Sequence, residues 1–317
     1  MSKTSTEPLR HALNGATMGT RWTALFFAAP GFDTAPVQQA LQAAVTEVDQ
    51  QMSSWKSDSD LMRINRAPVG AWIDAPERLV AVLKLGLAIG KASGGAFDVG
   101  MGDAVTAWGF GPDPATGERI RIALSARRQP SWEVIDLAPG RLRKREAITL
   151  DLNGIAKGYG VDRLAETLKG FGIVSFLVGI DGEMRAAGLR PDGEPWSIAV
   201  EQPDPARRAV HSVLALEDGA VATSGDYRHW VDVGGRRLSH TMDPRRGAPL
   251  GHGPASVTVV AGSCAEADAW ATALMVMGPD AGSDLARQHA FHALFLLRNA
   301  TGQIVPRGAG SLFAQQG

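Results

Sequence analysis

The chain has 317 residues, and 44% of them are hydrophobic, which is enough apolar material for one large domain or two closely packed ones. Lys and Arg number 32 against 33 Asp and Glu, so the net charge of −1 argues against a nucleic-acid partner. The single cysteine, Cys264, excludes an internal disulfide and a multi-cysteine zinc site. No stretch has the length and apolar character of a membrane span, and the first residues lack the apolar segment of a signal peptide. We therefore expect a cytoplasmic protein, or a periplasmic one if a leader has been removed.

The first half of the chain mixes predicted strands and helices. An apolar stretch at 22–27 predicts a strand. Apolar residues recur every three or four positions over 37–52 and again over 76–91, so both segments are predicted to be helices. Residues 109–117 are rich in Gly, Pro and Asp and predict a loop.

A strand-to-helix junction is predicted near the middle of the chain. Apolar and polar residues alternate over 148–153, which is typical of a strand, and helical spacing runs from Val161 to Gly170. Gly154 and Lys157 lie between the two in the run DLNGIAKG. A glycine permits close backbone approach, a helix N-terminus presents unpaired N–H groups, and the lysine adds a cation, so this junction suits a pyrophosphate. A plain strand-to-helix turn with a surface lysine is the alternative.

The second half is dominated by short strand candidates. They are 175–178, 196–200, 213–216, 230–233 and 256–260. Helices are predicted from Ser263 to Gly278 and over 283–289. Strands that cluster in sequence with few intervening helices favour antiparallel pairing and hence an α+β fold.

The helix that begins at Ser263 carries a candidate metal half-site. Asp268 and Thr272 are four residues apart, so their oxygens project from one helical face. Mg²⁺ prefers oxygen ligands and takes only one or two carboxylates from the protein. The alternative is a buried Asp bonded to nearby backbone and a Thr bonded to its own helix.

Three other polar residues are candidates for ligand contact. His240 stands in the polar run SHTMDP, where it is able to accept a proton from an incoming hydroxyl or to hold the Asp-Pro turn. Asp98 in GGAFDVG and Asp226 in TSGDYR are either ligand contacts or turn-forming residues, and a single sequence favours the second interpretation.

Segments that combine glycines with reactive polar residues are spread from Thr17 to Gly278. They are TMGT, SSWKSDSDLMRIN, GGAFDVG, AWGFGP, DLNGIAKGYGVD, TSGDYR, SHTMDPRRG and ADAWATALMVMG. In order and in spacing they resemble the ApbE family of FAD:protein FMN transferases, which attach FMN covalently to a target protein. The resemblance covers nearly the whole chain.

The resemblance implies a role for each of the matching residues. The residues implied to line an FAD site are Met18, Trp55, Phe97, Asp98, Val99, Asp151, Lys157 and Met242. The metal, Mg²⁺, is implied to bind the Gly154 carbonyl, Asp268 and Thr272, and His240 is implied to act in the transfer step. Asp268 is therefore expected to be needed for catalysis, chiefly as a metal ligand.

The resemblance also implies the architecture. It is an ApbE-like, T-fold-like α+β fold with mainly antiparallel sheets, packed helices and two intertwined halves. We expect a single domain over 1–317, with nominal halves at 15–170 and 171–317 and an N-terminal extension at 1–14. Two residues depart from the family pattern: Trp55 stands where Tyr or Phe is usual, and Asp181 replaces one glycine of a Gly-Gly turn.

The function that the resemblance implies is Mg²⁺-dependent transfer of FMN from FAD to a Thr or Ser hydroxyl of an acceptor flavoprotein, with release of AMP. The family's acceptor motif, an Asp-Gly pair with a Thr/Ser-Gly/Ala-Ala-Thr/Ser run, does not occur intact in this chain, so we expect a separate acceptor protein. An FAD diphosphatase that yields FMN and AMP, and a flavin-binding protein without turnover, are the two alternatives.

Overall fold

The computed structural model describes residues 7–228, 230–233, 236–289 and 291–313. Its strands are Leu9–Thr17 (β1), Thr20–Ala28 (β2), Trp72–Asp74 (β3), Ile135–Ala138 (β4), Arg141–Lys144 (β5), Phe176–Ile180 (β6), Glu183–Ala187 (β7), Trp196–Glu201 (β8), Val210–Leu216 (β9), Gly219–Gly225 (β10), Trp230–Val233 (β11), Arg236–Ser239 (β12), Met242–Asp243 (β13), Ala248–Pro249 (β14), Ser256–Ala261 (β15), His292–Arg298 (β16) and Ile304–Ala309 (β17). Its helices are Ala35–Met52 (α1), Asp60–Arg66 (α2), Glu77–Ala92 (α3), Gly102–Ala107 (α4), Gly117–Ser125 (α5), Ser131–Val134 (α6), Ala156–Gly170 (α7), Cys264–Met277 (α8) and Pro279–Gln288 (α9), and Ser311–Phe313 forms a 3-10 turn.

The centre of the fold is an eight-stranded sheet with the order β1-β2-β6-β7-β10-β15-β16-β17. Its neighbouring strands pair antiparallel, and the other strands form small two- and three-stranded sheets around it. The α+β prediction is confirmed. Residues 9–14, which the sequence analysis placed in an N-terminal extension, lie in the edge strand β1, while residues 1–6 are outside the described part.

Both faces of the large sheet are buried, as the alternation along β6 shows. Phe176, Val178 and Ile180 pack on the side of α1 and α7, whereas Leu177 packs on the opposite side with Ile198 of β8. Helix α8 covers the next part of the sheet, against β10 and β15. Among the described helices, none combines the length and apolar character needed to cross a membrane.

Two tight hairpins end at the same edge of this sheet. Met18 and Gly19 connect β1 to β2 with φ values of 44° and 71°, and Asp181 adopts φ 55° between β6 and β7. Because Trp22 pairs with Ile180, the two turns lie side by side. The β1-β2 turn has left-handed backbone at both central positions, whereas in the β6-β7 turn only Asp181 has a positive φ, which an aspartate tolerates better than most residues. Asp181 therefore occupies a backbone conformation that favours glycine.

The strand predicted over 148–153 is wrong. This segment contains an isolated bridge between Thr149 and Met101 and no continuous ladder. The side chain of Asn65 takes the place of a partner strand: its Oδ1 accepts from the Leu150 N–H at 2.7 Å, and its Nδ2 donates to the Leu150 carbonyl at 2.9 Å. Leu150 and Leu152 are buried, so the apolar alternation was correct about burial and wrong about the backbone partner.

The remaining predicted elements correspond to observed ones, with shifted ends. The strand at 22–27 lies in β2, the helices at 37–52 and 76–91 are α1 and α3, and the helix from Ser263 is α8. Ser263 Oγ caps α8 by accepting from the Glu266 N–H. The predicted loop at 109–117 ends where α5 begins. No pattern in the sequence predicted α5, because Ala123 is its one buried residue.

Candidate active site

Helices α7 and α8 cross at Gly158, which positions Asp268. A Cβ at Gly158 would lie 2.3 Å from the Cys264 carbonyl oxygen and 2.8 Å from the Asp268 Cβ, so only glycine permits this approach. The Gly158 N–H donates to Asp268 Oδ2 at 3.0 Å. Within the described part of the chain no group donates a hydrogen bond to the other oxygen, Oδ1.

The same hydrogen bond frees the Gly154 carbonyl. In a regular first turn the N–H of residue 158 would bond to the carbonyl of residue 154, but here it is directed to Asp268, and no described group donates to the Gly154 oxygen. A Cβ at Gly154 would lie 3.1 Å from Thr272 Oγ1 and 3.1 Å from the Phe97 ring, so Gly154 and Thr272 are neighbours. Thr272 Oγ1 lies 3.2 Å from Ser224 Oγ of β10 rather than bonding to its own helix.

Lys157 projects from the first turn of α7 toward three carboxylates. Its Nζ lies 2.6 Å from Glu183 Oε1 and 3.8 Å from Asp181 Oδ2. Burial alone would lower the pKa of Lys157, but the negative charges of Glu183, Asp268 and Asp181 outweigh it and raise the pKa, so this lysine is a cation.

The carboxylates outnumber the cations in this cluster. Burial, with the nearby charge of Glu183, raises the pKa of Asp268 to about 7, although Lys157 and the Gly158 N–H act in the opposite direction. Burial likewise raises the pKa of Glu183, whose buried Oε2 accepts no hydrogen bond from the residues that the structure describes. A further cation would relieve both carboxylates.

The donor set fits Mg²⁺ rather than a softer metal. One carboxylate, one hydroxyl and one open backbone carbonyl are hard oxygen donors, and Mg²⁺ keeps several waters or substrate oxygens beside such a set. No cluster of three or more His, Cys, Asp or Glu side chains suited to a metal occurs among the described residues, which argues against an all-side-chain zinc cage. Gly154, Asp268 and Thr272 are thus brought together as the sequence predicted.

A second group of the predicted residues adjoins this centre through the backbone of Asp151. The Asp151 N–H donates to the Val99 carbonyl at 2.8 Å, and its carboxylate accepts from the Asn153 N–H at 3.0 Å. Burial raises the pKa of Asp151 to about 6, and the hydrogen bond from the Asn153 N–H acts in the opposite direction. The next residue, Trp55, is 61% exposed, which leaves its indole free to stack on a flat ligand.

The GGAFDVG segment has two different roles. Phe97 is buried with its ring against Gly154, and Val99 is buried against helix α3. Asp98 instead ties the loop together: Oδ1 accepts from the Gly100 N–H at 2.7 Å, and Oδ2 accepts from the Ser131 N–H at 3.1 Å. In this structure its carboxylate therefore stabilises a turn and the start of α6.

The last predicted residues lie on two other walls. The Met18 methyl group would be 3.2 Å from a Cβ at Gly160, so the hairpin tip rests on the first turns of α7. Met242 of β13 is buried in a cluster with Met101. His240 precedes it by two residues, and its ring centroid lies 6.4 Å from that of Phe110 in an edge arrangement.

Sequence reasoning missed three residues of this region. Glu183 pairs with Lys157, and Ser224 contacts Thr272. Asp162 accepts from the N–H groups of Cys264 and Ala265, both at 2.9 Å, and so caps α8 from the neighbouring helix. Asp162 belongs to the run DLNGIAKGYGVD, but its role depends on a residue about a hundred positions away, which no local pattern shows.

Comparisons with known proteins show which family this chain is similar to. The family model described as the ApbE family matches residues 18–295. An FAD:protein FMN transferase from Vibrio cholerae is 36% identical over 298 residues, which is 92% of this chain and 88% of the relative. An FAD:protein FMN transferase from Escherichia coli is 33% identical over 286 residues, which is 87% of this chain and 81% of the relative.

Solved structures agree with these relatives. The flavin transferase ApbE from Vibrio cholerae superposes with a TM-score of 0.85 at 33% identity, covering 96% of this chain and 98% of that chain. The apo flavinyl transferase ApbE from Pseudomonas stutzeri gives a TM-score of 0.83 at 35% identity, covering 96% of this chain and 95% of that chain.

Proposed function

This chain belongs to the ApbE family and is an FAD:protein FMN transferase, and we propose that Gly154, Asp268 and Thr272 hold a Mg²⁺ ion in its active site. The family resemblance read from the sequence is thereby confirmed. The substrate is FAD, and the second substrate is an acceptor protein that presents a Thr or Ser hydroxyl.

The anhydride bond of FAD is the bond that breaks. The hydroxyl oxygen of the acceptor attacks the FMN-side phosphorus, a phosphate ester forms, and AMP departs with the electron pair of the broken P–O bond. Bound Mg²⁺ would neutralise the phosphoryl oxygens as charge shifts to the leaving group. The ammonium of Lys157 lies in the same cluster as Asp268 and adds a second positive charge for the pyrophosphate.

The side chains around the proposed metal site have separate roles in this transfer reaction. Lys157 is held by Glu183 at 2.6 Å, which fixes its ammonium beside the open first turn of α7. Trp55 offers an exposed aromatic face for the flavin or adenine rings, and Phe97 supports Gly154 from behind. His240 accepts the proton of the attacking hydroxyl, a task that suits an imidazole near neutral pH.

The observation that carries the proposal is the Gly154 carbonyl, left open because the Gly158 N–H bonds to Asp268. The test is incubation with FAD, Mg²⁺ and a synthetic peptide that contains Asp-Gly-Ser-Gly-Ala-Thr. Flavin-labelled peptide plus AMP supports the transferase, FMN plus AMP without labelled peptide indicates a diphosphatase, and unchanged FAD contradicts both.

We expect Asp268→Ala to abolish AMP release while retaining part of the FAD affinity, and full activity in that variant would remove Asp268 from the metal site.

A further inference from the structure

A separate cavity of about 330 Å³ lies at the C-terminal end of α8. Met275 of α8 contributes to its lining, together with Asp226 and Tyr227 after β10, Ser239 of β12 and Arg298 of β16. None of the residues assigned above to FAD or to the metal lines this cavity. Its volume is near the lower limit for small-molecule sites and accommodates a few side chains rather than a dinucleotide.

Three chain segments connect this cavity to the reaction centre. Met275 follows Thr272 by three residues and therefore lies one turn further along the same side of α8. Asp226 follows Ser224, the hydroxyl partner of Thr272, by two residues. Ser239 directly precedes His240, the proposed base. The cavity thus lies about one helical turn beyond Thr272, and its wall at Ser239 is one residue from His240 along the chain.

The rim of the cavity has the groups that an extended peptide requires. Gly251, His252 and Gly253 are exposed, and their N–H groups donate to no acceptor in the part of the chain that the structure describes. Leu250 and Pro254 beside them add apolar lining. Main-chain hydrogen bonds from a rim combined with a shallow pocket for a few side chains are the usual means of binding an extended segment.

We propose that this cavity binds the acceptor segment and delivers its Thr or Ser hydroxyl to the FMN-side phosphorus. The inference rests on the proposed transferase function, which requires a second substrate to reach the phosphorus from a direction that FAD leaves open. The loop 250–254 and Met275 then determine which polypeptides are flavinylated, while the residues around Lys157 and Trp55 determine the affinity for FAD.

The experiment blocks the cavity after the protein has folded. His252→Cys places a thiol on the exposed rim, whereas the native Cys264 is fully buried and its pKa is raised, so a bulky maleimide reacts selectively with the new thiol. The matched control is Val174→Cys, at a position that is 74% exposed in the turn between α7 and β6. The peptide described above is the acceptor probe, and FAD affinity is measured separately by quenching of flavin fluorescence.

We expect labelling at position 252 to reduce kcat/KM for the peptide by about tenfold or more, with the Kd for FAD changed by less than about twofold. Labelling at position 174 should change neither. Equal peptide kinetics before and after labelling at position 252 would overturn the proposal, and so would a parallel loss of FAD affinity, which would assign the cavity to the dinucleotide.

A second variant tests the same point without a label. A Cβ at Gly253 would lie 3.4 Å from the Met275 carbonyl, an ordinary contact, so Gly253→Leu narrows the cavity without backbone strain. Gly170→Leu, where a Cβ meets nothing within 4 Å, is its control. We expect the KM for the peptide to rise about tenfold in the first variant only. If the unmodified protein transfers no FMN at all, the proposed transferase function is wrong. If the unmodified protein transfers FMN and blocking the cavity does not change that transfer, only the proposed role of the cavity is wrong.

Discussion

At the residue scale, one hydrogen bond positions two of the three proposed metal ligands. By donating to Asp268 Oδ2, the Gly158 N–H both orients the carboxylate and leaves the Gly154 carbonyl without its usual partner. A backbone carbonyl and a carboxylate are thereby presented beside Thr272 without any additional side chain. The family resemblance implied the three residues proposed here as metal ligands. The sequence offered no sign of this exchange of partners, because residues 158 and 268 are brought together only by the helix crossing.

Lys157 and Glu183 form a pair whose members depend on each other. Removing the lysine leaves Glu183 buried without its cation, which is costly, although the 31% exposure of the lysine side chain reduces the penalty. We expect Lys157→Met to lower the free energy of unfolding by roughly 1–3 kcal/mol and to slow AMP release about a hundredfold. Adding Glu183→Gln should restore most of the stability in urea melts and none of the activity. Recovery of activity in the double variant would contradict a direct role for the ammonium.

Ionisation of Asp151 opposes folding in the absence of ligands. Burial raises its pKa from 3.8 to about 6, so between these values the unfolded chain is ionised at this residue and the folded chain is protonated. The free energy of unfolding therefore falls as the pH rises from about 4 to about 6, and the loss is complete above that range. We expect Asp151→Asn to gain thermal stability relative to the parent protein between about pH 4 and about pH 7.5, as measured by circular dichroism melts without FAD or Mg²⁺. A difference in Tm that does not change with pH would contradict the argument.

At the scale of elements, the crossing of α7 and α8 is the contact that holds the site together. A Cβ at Gly158 would approach the Cys264 carbonyl to 2.3 Å, so Gly158→Ala forces the two helices apart. We expect the free energy of unfolding to fall by roughly 1–3 kcal/mol in denaturant melts. We also expect added Mg²⁺ to stabilise this variant less than the parent protein. Gly170→Ala at the end of α7 meets nothing within 4 Å and should be neutral or slightly stabilising. Equal effects of the two variants would show that the crossing does not depend on glycine.

A substitution in the β1-β2 hairpin tests whether Met18 contacts FAD separately from the strain of its backbone conformation. Met18 adopts φ 44°, a conformation that asparagine tolerates better than methionine. Met18→Asn should therefore leave the Tm equal or higher. The same change removes the thioether that reaches Gly160, so we expect the Kd for FAD to rise about tenfold if Met18 lines the FAD site. Unchanged FAD affinity would exclude Met18 from that site.

The differences between predicted and observed elements have a common physical cause. The sequence pattern over 148–153 reported burial correctly, yet the backbone there bonds to the side chain of Asn65 and not to a strand. Helix α5 was not predicted because it buries only one residue, Ala123, and leaves Ile122 and Leu124 exposed. Periodicity indicates which side of a segment is buried, but it does not indicate which group forms hydrogen bonds with the backbone N–H and C=O of that segment.

At the scale of the whole molecule, the site depends on long-range assembly. The sheet places the Met18 hairpin beside the β6-β7 turn, and α8 then brings Asp268 against the start of α7. These contacts join segments from both ends of the chain. Local patterns indicated each segment as a candidate, but only the resemblance to a known family indicated that the segments meet, because no spacing rule connects residues so far apart.

The central claim is that Asp268, Thr272 and the Gly154 carbonyl hold a divalent ion against the diphosphate of the substrate. The most direct test is anomalous diffraction from crystals soaked with Mn²⁺ and ADP, which stand in for Mg²⁺ and the diphosphate of FAD. We predict one strong peak about 2 Å from an oxygen of each of the three residues, in contact with the ADP phosphates. A peak elsewhere, or ADP bound without a metal beside Asp268, would contradict the account.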